Sequence, residues 1–381
     1  MKVKLGDIFE IGSGGTPSKS HLEYYGGDIP WVKTGDLKSE YLYEVEDFIT
    51  ENGLRNSSAK MYEPDTVLIA MYGATIGAAS ILKMSACTNQ ACAAFKKSDK
   101  VIPEYLYYFL RSQKEKFVKD GVGGTQPNIS VGYLKKIEFE LPSIEGQKTI
   151  VDVLDKMTKI ICKRNEEVQL LDNLIRARFV EMFGDPVSNP YGFETVVLSD
   201  LADIKIGPFG SLLHKDDYIE GGHPLINPSH IVDGKVLSDD KFSISDSKYQ
   251  ELSAYQLKVG DVVMGRRGEM GRCAVVLKDG FLCGTGSILI RTKGEVTADY
   301  IQKIISFPSF KETIEDMAVG QTMLNLNVPI VSSFQIIKPP MAVQDSYYSF
   351  VDQVDKSKVK VQKALDETQC LFDSLMQKYF G

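Results

Sequence analysis

The chain has 381 residues, of which 43% are hydrophobic and 25% charged, and its formal net charge at pH 7 is -7. This length predicts two domains with hydrophobic cores of their own, and the acidic balance excludes a globally basic nucleic-acid binder. Any contact with DNA therefore requires a local basic face or a basic partner. No apolar run is long enough to predict a membrane span or the core of a signal peptide.

The cysteines and histidines give no sign of a metal or catalytic site. The six cysteines form no CxxC pair and match no histidine spacing, which predicts reduced thiols, no zinc site and a cytoplasmic location. The four histidines show no HExxH spacing, and the chain has no GxSxG motif and no Walker loop. We therefore expect neither a catalytic residue nor a metal ligand.

Residues 1–141 predict a mixed, strand-rich domain. Strands are predicted near 3–11, 29–33, 66–72, 78–84, 91–96 and 137–141, with one clear helix at 104–118. Two glycine-rich loops, Gly12–Gly15 and Gly121–Gly124, have Ser, Thr, Asn or Gln beside them. Such loops can hold a phosphate through free backbone N–H groups, and the alternative is that they are only tight turns.

The segment from Glu145 to Gly184 recurs as the last forty or so residues of the chain. Pro142 and Pro339 are 197 positions apart, as are Gly184 and Gly381, and a constant offset indicates duplication without an internal insertion. The other corresponding pairs are Gln147 and Gln344, Asp155 and Asp352, Leu174 and Leu371, and Phe183 and Phe380. Ser143 can cap the first copy, and the glycine and proline after Phe183 predict its end.

Each copy predicts a long helix with an apolar stripe at heptad spacing. The predicted pairing residues are Leu154, Met157, Ile161, Val168, Leu171 and Ile175 in the first helix, and Val351, Val354, Val361, Leu365, Phe372 and Leu375 in the second. Arg164, Arg178 and Lys358 interrupt the stripes and disfavour pairing of identical copies. A helix of about 60 Å with an open apolar stripe favours burial against the other copy, whereas the alternative is that each helix packs only on its own domain.

Residues 185–338 repeat the order of the first region with altered residues. We therefore predict an α+β protein with two tandem mixed α/β domains at 1–142 and 185–340. Each is followed by a long helix, at 143–184 and 341–381, and the two helices pair as an antiparallel coiled coil. The chain ends where its second repeat ends, so we expect no further C-terminal segment.

Binding is favoured over catalysis. Asn189-Pro190-Tyr191 is partly similar to the Asn-Pro-Pro-aromatic motif of adenine methyltransferases, but the second proline and a glycine-rich cofactor loop are absent. The densest arginine cluster is Arg266, Arg267 and Arg272, and arginine commonly reads guanine. The alternative is that these arginines are only solvent-exposed charges on a hairpin. Two versions of one domain with different loops fit a protein that reads two short sequences a fixed distance apart.

The layout resembles the specificity subunit of type I restriction-modification systems over the whole chain. The resembling segments are Leu5-Gly6-Asp7, Gly14-Gly15-Thr16-Pro17, Trp31-Val32-Lys33-Thr34-Gly35-Asp36-Leu37, Ala70-Met71-Tyr72-Gly73-Ala74-Thr75-Ile76-Gly77, Thr88-Asn89-Gln90, Gly124-Thr125-Gln126-Pro127-Asn128-Ile129-Ser130 and Phe183-Gly184-Asp185-Pro186. The resemblance implies two target recognition domains, each reading half of an interrupted site in double-stranded DNA and spaced by the paired helices.

The resemblance also implies partners. This chain would bind no cofactor itself and would act with two adenine methyltransferase subunits, which bind S-adenosylmethionine. Restriction subunits that use ATP and Mg would translocate and cut the DNA. The helices would serve as ruler and as docking surface for the methyltransferase subunits, with no membrane involved.

We expect one DNA surface in each domain. The first is predicted to contain Lys33, Thr34, Tyr72, Thr75, Asn89, Gln90, Thr125, Gln126 and Asn128. The second is predicted to contain Lys215, Asn227, His230, Arg266, Arg267, Arg272, Thr322 and Asn325. The second domain departs from the pattern where Arg266-Arg267-Gly268-Glu269 replaces Met71-Tyr72-Gly73-Ala74, and where Met323 replaces Gln126, which fits a different half-site.

Two other functions remain open from the sequence. One is the target-recognition subunit of a type II system, whose partner fuses methylation and cleavage. The other is a coiled-coil scaffold without nucleic acid, which predicts no salt-dependent DNA binding even with partners present.

Overall fold

The computed structural model describes residues 1–122, 128–319 and 324–381. The chain forms two compact units: unit 1 comprises Met1–Val168 with Lys360–Gly381, and unit 2 comprises Gln169–Val359. Each long helix therefore contributes residues to both units instead of forming a separate segment. The predicted α+β class, with two mixed domains and two long helices, is confirmed.

Unit 1 contains a five-stranded sheet in the order β2-β10-β7-β8-β4, a four-stranded sheet in the order β5-β3-β9-β6 and a β1-β11 pair. Its strands are β1 (Lys2–Lys4), β2 (Ile11–Ser13), β3 (Tyr25–Val32), β4 (Tyr41–Leu42), β5 (Phe48–Ile49), β6 (Met61–Tyr62), β7 (Val67–Ala70), β8 (Ala79–Leu82), β9 (Ala86–Thr88), β10 (Cys92–Phe95) and β11 (Glu138–Glu140). The helices up to the first long one are α1 (Leu5–Ile8), α2 (Glu51–Arg55), α3 (Pro103–Ser112), α4 (Lys114–Asp120), α5 (Val131–Lys136) and α6 (Ile144–Phe183).

Unit 2 repeats this plan with a β13-β23-β20-β21 sheet, a β14-β18-β15-β22-β19 sheet and the pairs β12-β24 and β16-β17. Its strands are β12 (Glu194–Val197), β13 (Ala202–Ile206), β14 (Tyr218–Ile219), β15 (His223–Ile226), β16 (Ile231–Val232), β17 (Lys235–Val236), β18 (Ser243–Ile244), β19 (Gln256–Leu257), β20 (Val262–Gly265), β21 (Cys273–Val275), β22 (Phe281–Cys283), β23 (Ser287–Thr292) and β24 (Gln335–Lys338). The remaining helices are α7 (Leu198–Leu201), α8 (Asp246–Glu251), α9 (Ala298–Ile305), α10 (Pro308–Met317), α11 (Val328–Ser332) and α12 (Met341–Phe380).

Two predicted elements of unit 1 differ from the structure. The helix predicted at 104–118 is two helices, α3 and α4, which meet at Gln113. Both bury aromatic side chains, including Tyr108 and Phe117, so the hydrophobic pattern continues across the break. The strand predicted over 3–11 is interrupted by α1, in which Leu5 is fully buried.

For Gly12–Gly15 the structure favours the alternative of a tight turn over a phosphate-binding loop. The N–H of Gly15 donates to the carbonyl oxygen of Thr88 (2.8 Å), so it is not free for an anion. A Cβ on Gly14 would lie 1.9 Å from that same oxygen, and one on Gly15 would lie 2.2 Å from Ser58 Oγ. These glycines are required because two backbones approach closely.

In unit 1 the first part of α6 packs with the last part of α12. Val151 and Leu154 share a hydrophobic core with Phe372 and Phe380. The ring of Phe380 lies 5.2 Å from that of Tyr105. Burial of each of these large apolar side chains contributes roughly 1.5–3 kcal/mol.

In unit 2 the last part of α6 packs with the first part of α12, so the pairing is antiparallel. Phe183 lies 5.3 Å from Tyr347, ring to ring, and Tyr347 is fully buried. Lys358, which interrupts the apolar stripe, forms an ion pair with Asp172 (2.5 Å). Phe179 is also buried, on the side of the helix that faces the core of unit 2.

The predicted pairing residues all have low or intermediate exposure. Leu154, Ile175, Val354 and Phe372 are buried, and the others are partly buried. Those others are Met157, Ile161, Val168, Leu171, Val351, Val361, Leu365 and Leu375.

A buried glutamine fastens the first turns of each long helix to its own unit. The side chain of Gln147 accepts from the N–H of Ile102 (2.9 Å) and donates to the carbonyl oxygens of Lys100 and Pro142. Gln344 repeats this arrangement in unit 2, accepting from the N–H of Thr297 (3.2 Å). The duplication therefore preserved a tertiary contact as well as a helix.

Candidate nucleic-acid interface

Two parallel strands of unit 1, β3 and β9, end side by side. The N–H of Asn89, just after β9, donates to the carbonyl of Val32 at the end of β3 (2.9 Å). The residues that follow both strands therefore lie at one edge of the sheet. They are Lys33, Thr34, Asn89 and Gln90, all predicted from the sequence.

The end of β7 brings Tyr72 to the same edge. The N–H of Met71 donates to the carbonyl of Ala91 (2.8 Å), directly after the turn that follows β9. Tyr72 is 41% exposed. Gly73 then turns the chain with a φ of 67°, and the hydroxyl of Thr75 donates back to the carbonyl of Tyr72 (3.3 Å).

A second segment is pinned against this turn. Val122 and Asn128 exchange two backbone hydrogen bonds, each of 3.0 Å. The N–H of Ile129 donates to the carbonyl of Met71 (3.0 Å), and Asn128 forms a β-bridge with Tyr72. Tyr72 and Asn128 are thus held together, as a shared surface requires.

A cavity of about 380 Å³ opens beside Tyr72 and Asn128. Tyr133 lines it and donates its hydroxyl to Asp120 (2.7 Å). Burial and this hydrogen bond to Asp120 raise the pKa of Tyr133. The phenol is therefore neutral at physiological pH and can act as a hydrogen-bonding group.

Some predicted residues of this edge already have partners within unit 1. Lys33 forms an ion pair with Asp47 (2.5 Å), and its ammonium group lies 5.3 Å from the ring centre of Trp31. The side chain of Asn89 accepts from the N–H of Ala91 (3.1 Å), and that of Gln90 bonds the hydroxyl of Thr16. These contacts shape the edge, whereas Tyr72 and Asn128 project from it.

Unit 2 builds the same edge with the same backbone connections. The N–H of Gly284 donates to the carbonyl of Ile226 (3.0 Å) where the parallel strands β15 and β22 end. The N–H of Arg266 donates to the carbonyl of Gly286 (3.0 Å), and the carbonyl of Arg266 accepts from the N–H of Leu326 (2.9 Å). Asn227, Arg266, Arg267 and Asn325 therefore meet at this edge, as the first set does in unit 1.

The arginines of unit 2 are not equivalent. The Nε–H of Arg266, which is half-buried, donates to the side-chain oxygen of Asn325 (3.0 Å). Burial, and then the neighbouring Arg267, lower the pKa of Arg266, and no carboxylate of the described residues is among the groups that act on it. Arg267 is exposed and forms a β-bridge with Asn325.

Arg272 does not join this cationic face. Its guanidinium is paired with Glu269 (2.7 and 3.2 Å), which also accepts from Lys311 (3.1 Å). The hydrogen bonds to Arg272 and Lys311 lower the pKa of Glu269 and keep it ionised. Arg272 lines a separate polar cavity of about 240 Å³, and its role as a DNA contact stays a prediction.

His230 and Lys215 occupy different environments. His230 is only 8% exposed, and its Nδ1 lies 2.8 Å from the carbonyl oxygen of Leu225. Burial assigns it to supporting the turn that carries Asn227, instead of lining a surface as predicted. Lys215 is exposed in a single helical turn before β14.

Thr285 was not among the residues predicted from the sequence for the second DNA surface. It is exposed and follows β22 as Gln90 follows β9. Met71 corresponds to Arg266 and Asn89 to Gly284 at an offset of 195 positions, whereas Asn128 and Asn325 keep the 197 of the long helices. Three predicted residues, Thr125, Gln126 and Thr322, lie outside the described residues.

Within the described ranges, no grouping of His, Cys, Asp and Glu side chains is suited to holding a metal ion. In those same ranges, no helix has the length and apolar character needed to cross a membrane.

The family of the chain follows from its similarity to known proteins. The family described as the type I restriction modification DNA specificity domain matches residues 1–170 and 190–368. The chain belongs to this family. The predicted resemblance to type I specificity subunits is confirmed.

Individual relatives agree with the family. The MjaIX specificity subunit of Methanocaldococcus jannaschii is 27% identical, over 98% of this chain and 91% of its own length. The EcoR124I/EcoR124II specificity subunit of Escherichia coli is 28% identical over 40% of this chain and 39% of its own length. The similarity to the first relative therefore extends over both units and both long helices.

Solved structures share the fold. The type I S subunit from M. genitalium has a TM-score of 0.56 at 14% identity, covering 100% of this chain and 96% of its own. A chain from a structural study of complex assembly and conformational transition of the type I R-M system has a TM-score of 0.67 at 16% identity, covering 100% of this chain and 97% of its own.

Proposed function

We propose that this chain is the DNA sequence-recognition subunit of a type I restriction-modification complex and that it reads an interrupted, two-part site. The observation that carries the proposal is the repeated edge in the two units. The backbone hydrogen bonds are the same and Asn128 and Asn325 correspond, but Met71 and Tyr72 of unit 1 are replaced by Arg266 and Arg267 in unit 2. One scaffold with different hydrogen-bonding groups is suited to reading two different short sequences.

The chain itself catalyses no reaction in this proposal. Two adenine methyltransferase subunits supply the chemistry with S-adenosylmethionine, and restriction subunits supply translocation and cleavage with ATP and Mg. The long helices are the proposed docking surface and spacer. Leu170 and Leu174 on α6, and Val359 and Leu371 on α12, are exposed apolar side chains that a partner helix could cover.

The acidic net charge supports the need for partners. With a charge of -7, the whole chain repels DNA at long range, so the small cationic edge of unit 2 contributes only locally. Methyltransferase subunits with basic DNA-facing surfaces would supply most of the salt-dependent affinity, while this chain supplies selectivity.

The test is to co-express the chain with the methyltransferase encoded beside it and to map modified adenines in host DNA by single-molecule sequencing. We expect methylation at one two-part motif with a fixed gap. A short continuous motif would overturn the two-part reading and favour a type II system. An active methyltransferase complex that gains no sequence selectivity from this chain would favour the scaffold function.

A further inference from the structure

We infer that Arg266, held in place by Asn325, reads a guanine in the half-site recognised by unit 2, and that Met71, at the equivalent position of unit 1, reads none. This inference rests on the proposed function and assigns a base to one side chain of the site. It depends on the environment of Arg266 and on the residue that unit 1 places at the same position.

The position that corresponds to Arg266 is an interior one in unit 1. In unit 1 it is occupied by Met71, which is 2% exposed and belongs to the hydrophobic core. Both residues make the same two backbone hydrogen bonds: the N–H donates to the turn after the neighbouring strand, and the carbonyl accepts from the pinned segment. Unit 2 therefore places a cation where the fold offers an apolar site.

A half-buried cation without a carboxylate partner is costly, because it has lost water without gaining an opposite charge. Among the described residues, Arg266 contacts a neutral amide instead of an acid. The charged neighbour that lowers its pKa is Arg267, which is also positive. A ligand that presents electron-rich acceptors would offset this cost.

The hydrogen bond to Asn325 also fixes the geometry. It uses the Nε–H of Arg266, and no described residue accepts from the Nη1 and Nη2 groups, which can donate in parallel. Two parallel donors match O6 and N7 of guanine in the major groove, the commonest specific arginine contact. Asn325 is therefore a positioning residue, whose loss should weaken the discrimination without removing the reader.

Arg267 has a different role. It is exposed, and the next residue, Gly268, turns the chain with a φ of 83°. An exposed arginine at a turn is suited to a phosphate contact, which adds affinity without sequence information. The two neighbouring arginines thus divide selectivity and affinity between them.

The experiment uses the complex with the methyltransferase and duplexes that carry the mapped motif. Arg266→Ala should reduce discrimination at one guanine, in one half-site, by about 5- to 150-fold, and Arg266→Lys should not restore it fully because lysine lacks the paired donors. Asn325→Ala should weaken discrimination at the same guanine by about 2- to 10-fold. The other half-site should be read as before in all three variants, which also shows that the variants are folded.

Atom-level evidence comes from replacing that guanine with 7-deazaguanine, which removes the N7 acceptor. Wild-type binding should fall, whereas binding by Arg266→Ala should not fall further. If the loss of affinity from Arg266→Ala and the loss from 7-deazaguanine add together in the combined experiment, Arg266 does not contact N7 directly and the inference is overturned. Arg267→Ala should lower affinity for matched and mismatched duplexes alike and reduce the salt slope by about 1.

Arg272→Ala is the matched control, because Glu269 already neutralises that arginine. It should leave selectivity at every position unchanged. The inference fails if neither half-site contains a guanine that depends on Arg266 while the wild-type complex still methylates a two-part motif. If the wild-type complex shows no two-part motif, the proposed function itself fails, so the two outcomes are distinguishable.

Discussion

Single polar side chains account for much of the agreement between the two units. Gln147 is fully buried and satisfies one N–H and two carbonyl groups at the start of α6. We predict that Gln147→Ala lowers the free energy of unfolding by about 2–4 kcal/mol, because it leaves buried backbone groups unpaired. Urea denaturation of the purified chain measures this. The control is Gln169→Ala on the same helix, where the side chain is exposed and the change should stay within about 0.5 kcal/mol.

Asp65 gives a prediction for pH. Its hydrogen bond to Lys83 (2.8 Å), with a further contact to Lys97, lowers the pKa of its carboxyl group below the ordinary value. A lowered folded-state pKa adds stability that is present above the unfolded value and is lost as pH falls through the folded value. We predict that Asp65→Asn is less stable than wild type at pH 7, by under about 1 kcal/mol, and that the difference disappears in acid. Thermal melts from pH 7 to pH 2 test this, and a difference independent of pH would contradict it.

The limits of sequence reasoning are clearest for the candidate site. Tyr72 could be singled out at the end of a predicted strand, and Asn128, Arg266 and Asn325 in polar segments beside predicted strands. The structure brings Tyr72 to Asn128 and Arg266 to Asn325. The role of His230 could not be foreseen, since a polar residue in a loop gives no sign that its ring is buried.

Arg272 shows the opposite problem. Its neutralisation depends on a turn that places Glu269 against it and on a contact from Lys311, which is remote in the sequence. Counting clustered arginines along the sequence therefore overestimates the positive charge of the folded surface.

At the scale of whole elements, the long helices were the most predictable part of the chain. The heptad spacing of apolar residues repeats over 40 residues in each of α6 and α12, so single interrupting residues do not obscure it. Short elements were less predictable, because tertiary contacts decide where α3 ends and whether α1 forms. The aromatic residues Phe179 and Phe183 were also missed as contacts to unit 2, since they lie beside the heptad stripe and face the domain.

The packing of α12 in unit 1 can be tested with two adjacent residues. Phe372 is 8% exposed and lies 6.5 Å from Tyr108, ring to ring, whereas Leu371 is 52% exposed. We predict that Phe372→Ala lowers the free energy of unfolding by about 3–5 kcal/mol, and that Leu371→Ala has little effect. Comparable losses for both variants would show that α12 does not face unit 1 as described.

For the whole molecule, the two units differ in how the chain builds them. Unit 1 needs Lys360–Gly381, whereas unit 2 is the continuous segment Gln169–Val359. We predict that deleting residues 360–381 removes hydrogen-exchange protection from the sheets of unit 1 and leaves most protection in the sheets of unit 2. Exchange measured by mass spectrometry reports both units in one experiment, and equal loss in both would show that they unfold as a single body.

This arrangement has a consequence for synthesis on the ribosome. Although unit 1 begins first, its core cannot close until Phe372 and Phe380 have been added, whereas unit 2 needs nothing beyond residue 359. At about 5–20 residues per second, the nascent chain would wait roughly 10–40 s between residue 168 and residue 360 with Val151 and Leu154 uncovered. Unit 2 is therefore translated later but can finish folding earlier. Chaperones that bind apolar helices would be needed most for unit 1.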